Sequence, residues 1–175
     1  MILLEALWFF LPAGIANMAP VIANKIPLLN RWNLPLDFGV SIGDKRILGD
    51  NKTWRGLVFG VVCAGLFSLG QFFIYSPLTE TVGSAIIFGV LLGAGALLGD
   101  AVASFFKRRL NIPSGTAWIP FDQTDYIIGG LIVVLPVAID ILAVTAVLSI
   151  IVVYTGLHFL VSYIGYLLGL KQRPL

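Results

Sequence analysis

The sequence predicts an all-α integral membrane protein, a bundle of five transmembrane helices, and three observations carry that prediction. Only 11% of the 175 residues are charged and 58% are hydrophobic, whereas a soluble domain carries about a quarter charged residues. The apolar runs are too long for strands and reach the about 20 residues that a bilayer-spanning helix needs. Helices and closed barrels alone satisfy the backbone in lipid, and runs of this length select helices. The basic residues, finally, gather between particular runs instead of scattering.

In chain order the spans fall at about 2–23, 56–75, 82–106, 126–143 and 145–168, within one polytopic domain covering 1–175. The first begins Met1-Ile2-Leu3-Leu4-Glu5. It has no positive leader, so it reads as a retained span and not as a cleaved signal peptide. Pro12, Asn17, Pro20, Asn24 and Pro27 predict that it kinks and loosens toward its end. A loop at about 24–55 follows, holding Lys25, Arg31, Lys45, Arg46, Lys52 and Arg55. Spans two and three carry Gly56 and Gly60, Gly89 and Gly93, and Gly95 and Gly99, a spacing that lets helices approach closely. Cys63 has no partner in the chain, which excludes an internal disulfide and leaves a small core residue.

Ser76-Pro77-Leu78-Thr79-Glu80 makes a short turn before span three. A second polar loop, about 107–125, opens with Lys107-Arg108-Arg109. Spans four and five meet in a tight turn near Asp140, and the chain closes with Lys171 and Arg173. His158 lies within span five, and bonding to a neighbouring helix explains it as well as a functional role does, so it is left outside the site. With five spans, all 11 Lys and Arg residues fall on one face and only Glu5, Glu80 and Asp140 on the other. The positive-inside rule makes the basic face cytoplasmic, with both polar loops and the C-terminus there and the N-terminus outside.

Chemistry concentrates on that face. Asp100, Ser104, Lys107 and Arg108 share one helix face over roughly 12 Å. The plain reading is a structural Asp100–Lys107 or Asp100–Ser104 pair beneath a topology signal. Asp122 and Asp125 precede span four at N-cap and N3 spacing, where carboxylates favour a helix start. Three carboxylates at a membrane edge also form a hard-oxygen set suited to Mg²⁺ and phosphate oxygens. Gly49-Asp50-Asn51-Lys52-Thr53-Trp54-Arg55-Gly56 joins backbone amides, a helix start and two cations, a natural phosphate cradle. It lacks the P-loop order, and a basic stop between spans or a contact with anionic headgroups accounts for it equally.

These residues resemble a known family. Asp100-x-x-x-Ser104-x-x-Lys107-Arg108, followed by Asp122-x-x-Asp125, looks like the signature of the membrane CTP-transferases that make CDP-diacylglycerol. Ala16-Asn17-Met18-Ala19-Pro20, Leu36-Asp37-Phe38-Gly39 and the run Arg46-Ile47-Leu48-Gly49 to Gly56 bring it nearer to the archaeal branch, the CDP-archaeol synthases. The bacterial branch has a Pro-Gly-His-Gly-Gly run before its acidic pair. Here Pro113-Ser114-Gly115 and Trp118-Ile119-Pro120-Phe121 stand in a shorter loop without histidine.

The resemblance implies transfer of CMP from CTP to 2,3-bis-O-geranylgeranylglyceryl phosphate, in the cell membrane, with Mg²⁺ as cofactor and no nucleic-acid partner. It implies Asp100 and Asp122 as principal metal ligands with Asp125 third, and Asp100, Lys107, Asp122 and Asp125 as the catalytic group. Lys107 and Arg108, near Ser104, would bind triphosphate or lipid phosphate, and Lys52, Thr53 and Arg55 the other, with Asp50 and Asn51 helping to fix the nucleotide. Bacterial-type phosphatidate cytidylyltransferase activity is the near alternative. A small transporter is the distant one; it should place ionisable residues near mid-membrane and often carry inverted repeats. Here the charges gather at one interface and no clear repeat appears. A purely structural membrane protein would need no such loops, and the Asp-rich helix pair of the CDP-alcohol phosphotransferases is missing.

Overall fold

The computed structural model describes residues 3–76, 79–139 and 142–170. Helices run in the order α1 (Leu3–Ala23), α2 (Pro27–Asn30), α3 (Trp54–Ile74), α4 (Val82–Arg109), α5 (Phe121–Ala138) and α6 (Val144–Leu167). A two-stranded antiparallel ribbon, β1 (Ser41–Ile42) with β2 (Lys45–Arg46), lies between α2 and α3. Among the described residues, 5 helices are long and apolar enough to cross a membrane. The all-α bundle is therefore present, and the small ribbon is an addition that hydropathy cannot see. Asp140 and its tight turn, Pro77, Lys171 and Arg173 lie outside the described residues.

α1 keeps its expected bounds with Pro12 and Pro20 inside it, and Pro27 opens α2. Two other elements differ from expectation, each for a local reason. α4 runs on through Lys107, Arg108 and Arg109, so the basic cluster is helical and not loop. Its 28 residues make it about 42 Å long, some way beyond the about 30 Å of hydrocarbon. α5 begins at Phe121, five residues before the expected 126, and ends correspondingly early at Ala138. Asp122 and Asp125 thus lie inside the helix; Pro120 holds the N-cap position without a side-chain cap.

Close backbone approach holds the bundle together. A Cβ at Gly95 would lie 2.6 Å from the carbonyl oxygen of Gly129, and one at Gly99 would strike the carbonyl of Asp125. Dispersion and complementary shape drive such contacts, because lipid offers no hydrophobic gain between helices. Polar ties add direction. Ser68 Oγ donates to Ala85 O at 2.7 Å, joining α3 to α4, and Gln71 Nε2 donates to Trp8 O at 2.7 Å, joining α3 to α1. α6 is anchored through Tyr154, whose ring meets Phe10 edge-on at 5.0 Å and whose hydroxyl donates to Leu7 O at 2.6 Å. Tyr126 in turn donates to Tyr154 O at 3.0 Å and packs beside His158, ring to ring at 5.7 Å.

The two ends of the bundle are chemically distinct. Tyr75 donates to Glu5 Oε1 at 3.2 Å at one end. At the other, the end of α1, the start of α3, the end of α4 and the start of α5 bring the polar loops together, as the following contacts show.

Candidate active site

The first loop is organised by Asp37. Its side chain is 1% exposed and accepts from Arg46 Nη2 at 2.6 Å and from the amides of Leu48, Gly49 and Gly39 at 2.9, 3.0 and 3.1 Å. Burial opposes the charge on Asp37, but the Arg46 guanidinium and the three amides outweigh it and hold the carboxyl well below the usual carboxylate range. Arg46 is correspondingly pushed up by Asp37, with Asp50 Oδ1 its second partner at 2.6 Å. The loop then returns as an extended stretch. Leu36 N donates to Lys52 O at 2.8 Å, and Trp54 N donates to Leu34 O at 3.0 Å. Lys52 is thereby fixed just ahead of α3.

That placement delivers Lys52 to α4. Its Nζ lies 2.5 Å from Asp100 Oδ2, so the partner of Asp100 is Lys52 and not the neighbouring Lys107 or Ser104. Lys107 reaches across to the second loop and α5, donating to Asp122 Oδ2 at 2.8 Å and to Thr116 O at 2.6 Å. The amide of Trp118 completes the Asp122 shell at 2.9 Å. The polar first turn of α5 is helical because of this pairing, together with the stacking of Trp118 on Phe121 at 4.2 Å. The Gly99 contact sets the Asp125 backbone against α4, one residue from Asp100. Asp125 Oδ1 accepts from Tyr126 N at 2.5 Å, whereas Oδ2 is buried and has no hydrogen-bond partner. Asp100, Lys52 and Asp122 lie within electrostatic reach of it. Ser104 is buried on α4, one turn beyond Asp100.

Other expected ligands have different occupations. Thr53 is the N-cap of α3, its Oγ1 accepting from Gly56 N at 3.2 Å. Arg55 is 5% exposed, and its guanidinium donates to Asn30 Oδ1 at 2.9 Å and Asn24 Oδ1 at 3.1 Å. It clamps the end of α1 and α2 to α3. Asn51 is exposed and faces the second loop, where a Cβ at Gly115 would come within 3.9 Å of its Nδ2.

Beside these pairs lies an open groove of about 280 Å³, lined by Lys45, Arg46, Gly49, Asp50, Arg108, Asn111, Ile112, Pro113 and Ser114. Gly49, at φ 92°, leaves room for Arg108, whose Nη1 would lie 3.4 Å from a Cβ there. The hairpin wall is pinned to α4 reciprocally: Lys45 Nζ donates to Arg109 O at 2.9 Å, and Arg109 Nη2 donates to Arg46 O at 2.6 Å. Arg46 is already held by Asp37 and Asp50, so Lys45 and Arg108 are the basic side chains that leave the groove net positive. Lys45, Asn111 and Ser114 were not anticipated as part of it. Asn111 adopts φ 61°, a conformation that asparagine tolerates, and no spacing in the sequence announces it. Gln123, 2% exposed with Oε1 unpartnered, is a further polar group here that no motif in the sequence marks.

Metal fit follows from the carboxylates. Among the described residues no three His, Cys, Asp or Glu side chains already converge as a cluster. Asp125 Oδ2 is nevertheless a buried acceptor without a donor, and the partners of Asp100 and Asp122 are lysine ammonium groups. The residues fit a hard divalent cation of the Mg²⁺ kind.

The comparisons with known proteins bear on this geometry as a whole. The family described as "CarS-like: CDP-archaeol synthase" matches residues 1–175. This chain belongs to the CDP-archaeol synthase family. It is 36% identical over 173 residues to the CDP-archaeol synthase of Pyrococcus horikoshii, covering 98% of this chain and 96% of that one. It is 34% identical over 182 residues to that of Methanocaldococcus jannaschii, covering 98% of this chain and 96% of its relative. A solved structure described as an intramembrane enzyme for archaeal membrane lipids biosynthesis superposes with a TM-score of 0.74 at 30% identity, covering 91% of this chain and 94% of that chain. Family membership makes the protein an enzyme and supports the five-span reading. A transporter or purely structural role falls away.

Proposed function

We propose that the chain transfers the cytidylyl group of CTP to 2,3-bis-O-geranylgeranylglyceryl phosphate, on the cytoplasmic face of the cell membrane. The observation that carries this reading is the meeting of Asp100, Asp122 and Asp125 with Lys52, Lys107 and the Lys45–Arg46–Arg108 groove at one end of the bundle. An oxygen of the lipid phosphate attacks the α-phosphorus of CTP, a new P–O bond forms, and the bond to the β-phosphate oxygen breaks to release pyrophosphate. A phosphate monoester has its second pKa near 6, so the attacking oxygen is already anionic and no general base is needed. That fits a site without histidine.

The task left to the protein is to bring two polyanions together and to stabilise the departing pyrophosphate. Lys45 and Arg108 supply positive charge along the groove for the β- and γ-phosphates. Lys52 and Lys107, paired with Asp100 and Asp122, neutralise charge at the reacting phosphates. Asp100, Asp122 and Asp125 would hold Mg²⁺, which when bound polarises the α-phosphate and neutralises the leaving group. Arg55 and Thr53 serve the site indirectly, by fixing the start of α3.

Pyrophosphate release by purified protein, with each nucleoside triphosphate and with ether- or ester-linked lipid phosphate in turn, tests the reaction. Release with CTP and the isoprenoid ether lipid, abolished by chelator, is expected. Asp100→Asn and Asp122→Asn should each lower the rate by about 100-fold or more. Unchanged Mg²⁺-dependent release in both variants would overturn the metal assignment.

A further inference from the structure

We infer that Lys52 and Lys107 are exchangeable counter-ions that couple entry of the divalent cation to entry of the triphosphate. The inference rests on the cytidylyltransferase reading and names how that site is loaded. Each of the two ion pairs joins a group assigned to phosphate with a group assigned to metal: Lys52 with Asp100, and Lys107 with Asp122. The carboxylate lone pairs that the ammonium groups now occupy are those a cation would need. The ammonium protons that the carboxylates now occupy are those the phosphates would need.

Charge makes the two demands interdependent. Each ion pair sets one carboxylate against one ammonium group, Asp100 against Lys52 and Asp122 against Lys107, so each pair is balanced as it stands. Neither pair is freely hydrated: the Lys52 and Asp100 side chains are 23% and 27% exposed, and those of Lys107 and Asp122 are 10% and 24%. A divalent cation entering alone must push ammonium groups off their carboxylates and leave them partly buried without partners. A triphosphate entering alone must take the lysines and leave the carboxylates bare. Entering together, each supplies the partner that the other displaces. The lysines pivot from carboxylate to phosphate, with Thr116 O, 2.6 Å from Lys107 Nζ, as a fixed second acceptor during the swing.

By linkage, the factor by which the triphosphate raises affinity for the metal equals the factor by which the metal raises affinity for the triphosphate, on the order of 5- to 150-fold. Removing a lysine's charge should then have opposite effects on the two ligands. The experiment uses full-length protein in nanodiscs without lipid phosphate, measuring free Mn²⁺ by electron paramagnetic resonance and CTP binding by equilibrium dialysis with Mg²⁺. Lys52→Met and Lys107→Met are each expected to bind Mn²⁺ alone about tenfold more tightly than the unsubstituted protein and CTP with Mg²⁺ about tenfold more weakly. Lys52→Arg, which keeps the charge, should leave Mn²⁺ affinity unchanged. Loss of a merely structural contact, or partial misfolding, would weaken both ligands together. If the unsubstituted protein binds CTP with Mg²⁺ but neither methionine variant tightens Mn²⁺, the coupling is overturned and the proposed reaction stands. If the unsubstituted protein takes up no CTP, the proposed reaction falls and the coupling with it.

Discussion

At the scale of single residues, Arg55 and Asp37 hold the site without belonging to it. Arg55 looks like a phosphate ligand in the run Lys52-Thr53-Trp54-Arg55, yet its guanidinium is buried against Asn24 and Asn30. Those acceptors are 31 and 25 residues away, so no local spacing connects them to it. Arg55→Met should therefore destabilise the fold by about 2–4 kcal/mol, read as a lower melting temperature. CTP affinity per folded molecule should change little, which a direct phosphate ligand would not permit. Asp37 makes the opposite lesson. It sits in the run Leu36-Asp37-Phe38-Gly39, and its partners at Gly39, Leu48 and Gly49 are backbone amides, which carry no sequence signature. Its depressed pKa means that the loop gains stability above the ordinary carboxylate range and loses it as pH falls through the lowered value. Asp37→Asn should remove that acid-dependent loss below about pH 4 and weaken CTP binding at neutral pH, because Gly49 and the groove wall are no longer held. A pH series of thermal melts on both proteins separates the two effects.

At the scale of elements, the spans were legible where hydrophobicity and helicity end together. They parted at α5. Its first turn, Phe121-Asp122-Gln123-Thr124-Asp125, is polar, and hydropathy places the membrane boundary after it, whereas the helix has already begun. The cause lies in other elements: Lys107 from α4 neutralises Asp122, and Trp118 covers Phe121. The small-residue spacing of α4 was legible as packing, but its partner was not. Gly95 and Gly99 meet α5, not α3, while Gly89 and Gly93 meet α3. Gly99→Val should accordingly displace the start of α5 and with it Asp122 and Asp125. The expected result is a loss of activity of at least 100-fold, the order seen when positioned catalytic groups move by about 1 Å, with α-helix content retained by circular dichroism. Gly70, with nothing within 4 Å of an added Cβ, is the control position and should accept alanine silently.

At the scale of the molecule, the described charges segregate as a five-span topology requires. Glu5 lies with Tyr75 at one end, and Lys45, Lys52, Lys107 and Arg109 meet at the other. The proposed cytoplasmic placement of the basic end rests on the positive-inside rule. In a Cys63→Ala background, Asp44→Cys should react with an impermeant maleimide only in inverted vesicles and Glu80→Cys only in intact cells. The reverse pattern would invert the proposed orientation and put the site out of reach of cytoplasmic CTP.

The length of α4 sets a vertical scale for the reaction. From Asp100 to Arg109 the helix rises about 13 Å, from the carboxylate that meets Lys52 to the residue that seats the hairpin wall. One uninterrupted helix thus fixes the distance between those two contacts, in the manner of a gauge block. In the proposed reaction a lipid phosphate stays within the headgroup layer while a triphosphate arrives from water. The number of turns in α4 thus sets the separation across which the proposed reaction would bring its two substrates together.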